Sequence, residues 1–197
     1  MTRYKERYRI ESTRLSGWDY ASPGYYFVTI VTRQRCLSFG DILNQGEIRL
    51  SPLGEIARRF WVEIPSHFAN TTLDEFVVMP NHIHGIVIIN EMVHVVETPY
   101  VETPHVETPH VASLPRAVEN ESVRKFGPLK PGSLSKIIQA YKSAVSRWAG
   151  QNNNPDFAWQ PGFFDHVIRD QISLNRIRAY IRKNPQAWAM DEENPAR

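Results

Sequence analysis

A chain of 197 residues with 42% hydrophobic content is long enough to fill one domain core and too short for two large ones. Its single cysteine, Cys36, excludes an intramolecular disulfide and a cysteine-based zinc cluster, and fits a reducing, cytoplasmic location. The net charge of +2 conceals an asymmetry: residues 91–122 carry six acidic side chains and one arginine, a balance of −5, which leaves +7 for the rest. A basic body of this kind favours a polyanionic partner. The opening residues lack the apolar core of a signal peptide, and no stretch reaches membrane-spanning length.

In chain order, residues 1–22 form a basic arm in which Arg3, Lys5, Arg7, Arg9 and Arg14 alternate with Tyr4 and Tyr8. That composition suits phosphate neutralisation and base stacking, and also suits a frayed charged terminus. YYFVTIVTR, from Tyr25 to Arg33, reads as a buried strand, and residues 36–50 as a small hairpin around Asn-Gln-Gly. Ser51 with Pro52 opens a helix whose apolar positions Leu53, Ile56, Ala57, Phe60 and Trp61 share one face. Leu73–Met79 and His82–Ile89 are further strands, broken by Pro80-Asn81.

The pentapeptide V-E-T-P-(Y/H) repeats at Val96, Val101 and Val106. A proline in every unit forbids a regular ladder, so residues 91–122 are expected to form a low-complexity insert between the two parts of one domain, 23–90 and 123–190, with 191–197 as a tail. Ser133 caps a second amphipathic helix that carries Tyr141. A strand-like DHVIR follows, and then a final helix over residues 173–183 that stops at Asn184-Pro185.

Chemistry concentrates at VVMPNHIHGIVII, residues 77–89. His82 and His84, two apart on a strand, point to the same side, either as hydrogen-bonded core histidines or as one half of an open metal site able to polarise a phosphoryl oxygen. Tyr141, beside Lys142 and Arg147, is either core or a nucleophile.

MPNHIHGIV, IIQAYKSAVSR, WQPGFFDHVIRD and YIRKNPQAW, in that order, resemble the HUH single-tyrosine transposases, and most of all the branch of REP-associated tyrosine transposases. The resemblance spans residues 24–188 apart from the insert. It implies an α+β fold, a ferredoxin-like antiparallel sheet with helices packed on one face. It also implies a Mg2+ or Mn2+ ion on His82 and His84, and Tyr141 as the nucleophile that nicks and rejoins hairpin-bearing single-stranded DNA through a 5′-phosphotyrosine. A glutamine ligand found in some relatives one helical turn after the tyrosine is replaced here by Val145, so Gln160, Asp165 and His166 become the candidates for a third ligand. Lys142, Arg147, Arg169 and the basic arm are the expected DNA contacts, and the implied assembly is a monomer or homodimer.

Two other readings compete. Histidine-triad nucleotide hydrolases need a third alternating histidine, where this chain has Ile86. The other is a catalytically inactive module, domesticated for binding single-stranded nucleic acid.

Overall fold

The computed structural model describes residues 3–4, 7–8, 14–15, 17–91 and 129–196. The repeat insert lies outside the described residues. The described body belongs to one compact unit, Met1–Glu91 with Leu129–Arg197.

Strands β1 (Arg3–Tyr4) and β2 (Arg7–Tyr8) pair with each other near the start of the chain. Strand β3 (Gly24–Val31) follows, then the hairpin of β4 (Gly40–Ile42) and β5 (Ile48–Leu50), and helix α1 (Pro52–Val62). Ser51 caps α1 by accepting from Gly54 N, as its sequence position predicts. A single turn, α2 (Ile64–His67), leads into β6 (Thr71–Val78) and β7 (His82–Ile89). Helix α3 (Leu134–Gln151) is capped by Ser133, β8 spans Phe164–Ile168, and α4 (Gln171–Lys183) is capped by Asp170. A 3-10 segment, Asn184–Met190, continues directly from α4.

The main sheet has the order β6-β7-β3-β8 with every pair antiparallel. With α1 and α3 as the crossovers this is the ferredoxin-like α+β arrangement. Strand β7 is central and buried on both sides, which explains the apolar run from Ile86 to Ile89.

Alternation along β7 sends Ile83, Val87 and Ile89 into one core, with Tyr26, Val28 and Ile30 from β3, Ala57 and Trp61 from α1, and Ile137, Ile138 and Tyr141 from α3. Gly85 lies on that side because Trp61 occupies the space: a Cβ there would sit 2.3 Å from the indole. On the other side Ile86 packs with Ile168 and with Leu174 and Ile181 of α4. The expectation of helices on one face therefore holds for α1 and α3, while α4 covers the opposite face.

Candidate metal and nucleophile centre

His82 and His84 leave β7 on the α4 side, 0% and 4% exposed, with ring centroids 4.4 Å apart. Phe27 of β3 stacks on His84 at 5.4 Å, and Trp188 lies 6.0 Å from His82. Burial disfavours the charged forms, pushing both imidazoles down to about 3; for His84, the neighbouring His82 adds to the effect and Asp191 opposes it. Both rings are neutral near pH 7.

Their orientation is fixed from behind. Asn81 Nδ2 donates to the backbone oxygens of Arg35 (3.1 Å) and Glu193 (2.6 Å), so its Oδ1 must face His82 Nδ1, 2.8 Å away. An amide oxygen only accepts, hence His82 carries its proton on Nδ1 and presents a lone pair on Nε2. That Nε2 is buried and has no hydrogen-bond partner among the described residues. His84 Nδ1 meets Thr29 Oγ1 at 2.9 Å, and its Nε2 lies 3.1 Å from the Tyr180 hydroxyl. Buried polar atoms ordinarily find partners, so an orphaned lone pair beside a second imidazole marks a place for a Lewis acid.

Helix α4 and the 3-10 segment that follows it supply the remaining groups. Tyr180 and Asn184 are one turn apart, and the ring of Tyr180 is 5.1 Å from that of His84. Tyr180 is 47% exposed. Burial, and then the negative charges of Asp191, Glu192 and Glu193, raise its phenol to about 12. Asn184 donates from Nδ2 to Asp191 Oδ2 at 2.8 Å, and its buried Oδ1 has no partner among the described residues. The other oxygen of Asp191 accepts from Glu193 N at 2.7 Å.

His82, His84 and Asp191 each place a ligand atom within 4.8 Å of the others. Two neutral imidazoles and a carboxylate could hold a divalent ion, and the donor set suits manganese or magnesium as well as zinc. The two unpartnered atoms, His82 Nε2 and Asn184 Oδ1, show that the residues present fit such a group.

Tyr141 is not part of this centre. Its ring is 3% exposed in the α1–α3 core, edge-on to Trp61 at 5.3 Å, and its hydroxyl donates to Ala57 O at 2.9 Å. It lies across the sheet from the histidines, and burial raises its phenol well above the ordinary value. The expectation that Tyr141 faces the imidazoles is thus corrected.

Its neighbours move with it. Lys142 Nζ donates to Gln160 O (2.8 Å) and Gly162 O (2.6 Å), with burial lowering it to about 8, and Arg147 is exposed on the same helix.

None of the three candidate third ligands reaches the histidines. Gln160 is exposed beyond the end of β3. Asp165 points into the α1–α3 side, 3.5 Å from Arg14. His166 shares the correct face but pairs with Phe27, two strands from β7, which is about 10 Å at ordinary strand spacing. Arg169 stands over Trp18 at 5.9 Å. Lys5 and Arg9 lie outside the described residues, and Arg3 and Arg7 are described only as strand backbone.

No family model matches the chain. An uncharacterized protein of Haemophilus influenzae is 33% identical over 181 residues, covering 92% of this chain and 91% of that protein. The chain belongs to one family with that protein. Among solved structures, a REP-associated tyrosine transposase bound to a REP hairpin superposes with a TM-score of 0.50 at 18% identity, covering 98% of this chain and 77% of the other. The fold is that of an HUH tyrosine transposase.

Within this HUH fold the sequence reading missed Tyr180, Asn184 and Asp191. A signal for two of them was present in YIRKNPQAW, where tyrosine and asparagine stand four apart on the last turn before a proline and so share a helix face. Asp191 had none, because a carboxylate seven residues beyond Asn184 reaches it only through the 3-10 turn.

Proposed function

We propose that the chain is a tyrosine transposase, a metal-dependent endonuclease and strand transferase on single-stranded DNA, with Tyr180 as its nucleophile. The observation that carries this reading is the approach of the Tyr180 hydroxyl to His84 Nε2 beside the unpartnered His82 Nε2. The nucleophile is on α4, and Tyr141 serves the core.

His82, His84, Asp191 and Asn184 would hold the ion, Mg2+ or Mn2+. When bound, it withdraws negative charge from a phosphodiester and orients it. The chain's own residues do the rest. Asn81 fixes the tautomer of His82, and Thr29 holds the His84 ring in place. Phe27 and Trp188 wall the histidines with aromatic surface. Tyr180 Oη attacks phosphorus and loses its proton. The P–O3′ bond breaks as the P–Oη bond forms, and the departing 3′ oxygen leaves as a hydroxyl once protonated. The 5′ phosphate stays on the tyrosine, and a 3′ hydroxyl can reverse the step to rejoin strands, so no nucleotide cofactor is needed.

The substrate class is hairpin-bearing single-stranded DNA, supported by the hairpin in the structurally similar transposase complex and by the basic body of this chain. The test is incubation with a labelled hairpin oligonucleotide and Mn2+, followed by denaturing electrophoresis. A covalent adduct is expected for the wild type and for Tyr141→Phe, and none for Tyr180→Phe. An adduct that survives Tyr180→Phe and vanishes in Tyr141→Phe would overturn the assignment.

A further inference from the structure

The turn after β3 has an unusual backbone. Gln34 and Arg35 both adopt left-handed conformations, with φ of 56° and 55°, although neither is glycine. Such conformations are disfavoured for residues with a Cβ and persist only where the surroundings over-determine them. Here Arg33 N donates to Ala158 O at 2.8 Å, Thr32 Oγ1 to Cys36 O at 2.8 Å, and Asn81 Nδ2 to Arg35 O at 3.1 Å. The turn is held in this shape from three sides while the side chains of Arg33, Gln34 and Arg35 remain exposed.

These three side chains, with Gln160 and Pro161, line an open cleft of about 430 Å3. Its lining holds two guanidinium groups and two amides and no carboxylate. Guanidinium groups suit bidentate contact with phosphate oxygens. Glu193 pairs with Arg35 Nε at 2.8 Å, and both partners are partly exposed. Exposed pairs of this kind contribute little, so a phosphate can replace the carboxylate at small cost.

The cleft adjoins the histidines through one residue. Asn81 bonds Arg35 O with its nitrogen and His82 Nδ1 with its oxygen, and Val31, at the end of β3, is the register partner of His82.

We propose that the Arg33–Arg35 turn is a phosphate clamp for the sugar-phosphate backbone of the single strand whose reacting phosphate lies at Tyr180. It holds nucleotides that flank the cleaved bond. The strained turn keeps two cations in place before the strand arrives, which reduces the ordering cost of binding. This inference rests on the reading of the chain as an enzyme of single-stranded DNA.

The experiment measures binding of a fluorescein-labelled oligothymidylate by anisotropy over a KCl series, in the Tyr180→Phe background to prevent covalent capture. The double variant Arg33→Ala/Arg35→Ala is compared with Arg58→Ala/Arg59→Ala, which removes the same formal charge from exposed positions of α1 on the far side of the sheet. Thermal melting verifies that both variants fold. Loss of two phosphate contacts should flatten the slope of log K against log salt by about 1.4 and weaken binding about tenfold at moderate salt, with the α1 variant close to the parent. Equal slopes and affinities for the two double variants, with the parent binding well, overturn the clamp alone. A parent chain that does not bind the oligonucleotide overturns the clamp and the single-strand reading together.

Discussion

The Tyr180 hydroxyl lies 3.1 Å from Nε2 of His84, and because Nδ1 of the same ring is engaged by Thr29, Nε2 is also the nitrogen that would bind a metal ion. Phenol and ion therefore compete for one nitrogen. Tyr180→Phe removes the competitor, and should bind Mn2+ at least as tightly as the wild type while forming no DNA adduct. Calorimetric titration of both proteins with MnCl2 checks this. A marked loss of Mn2+ affinity in the variant would mean that the phenol oxygen itself is a ligand.

Tyr141→Phe should leave cleavage intact and cost about 1 kcal/mol, the ordinary worth of the hydrogen bond it gives to Ala57 O. Tyr141→Ala should cost about 3–5 kcal/mol through the cavity left against Trp61 and Trp159. Urea denaturation measures both. An adduct yield unchanged in the phenylalanine variant separates packing from chemistry at this position.

Asn184→Ala and Asp191→Asn should each weaken Mn2+ binding by roughly 10–100-fold, the usual effect of losing a ligand's support or charge at a metal site. Asp191→Asn keeps the shape of the side chain but removes the charge near both imidazoles. The calorimetric assay reads this directly. If neither variant changes affinity, the ion is held by the histidines and other groups.

Stability of the chelated, metal-free protein should fall as the solution is acidified below about pH 6.5. Both imidazoles are held near 3 in the folded chain, against an ordinary value of 6.5, so the unfolded chain binds more protons between those limits. The associated stability is fully present above the unfolded value and is lost as pH falls toward the folded one, with a slope of up to about 2.7 kcal/mol per pH unit for two protons. Urea midpoints between about pH 5 and pH 7 give the slope, and a His82→Gln/His84→Gln variant should flatten it.

Much of the scaffold was legible because its signals are local. The Ser51 and Ser133 caps, the period-two run of β7 and the helical stripe of α3 each dictate an element, and each forms where expected. The histidine pair was legible for the same reason, since strand parity alone puts His82 and His84 together. Which helix would face them was not, because it depends on which side of the sheet each crossover takes. Parity did contain a clue: Ile83 belongs with α1 and α3, so its two histidine neighbours cannot also face α3. Tyr141 sits on the apolar stripe of its helix for the plain reason that it is core, whereas Tyr180 is half open and flanked by arginines on a polar helix. Asn81 adjoins His82 in the sequence, but Thr29 reaches His84 from a neighbouring strand, and such long-range pairing leaves no trace in spacing.

Helix α4 carries Tyr180 on its last turn and runs without interruption into the 3-10 segment that starts at Asn184 and is followed by Asp191, so the proposed nucleophile and two of the proposed ion-holding groups ride on one continuous stretch of backbone opposite their own β7. Each copy is self-sufficient in these parts. Mixing Tyr180→Phe chains with His82→Ala/His84→Ala chains should accordingly restore no covalent product, since neither defect can be repaired by lending a helix between copies.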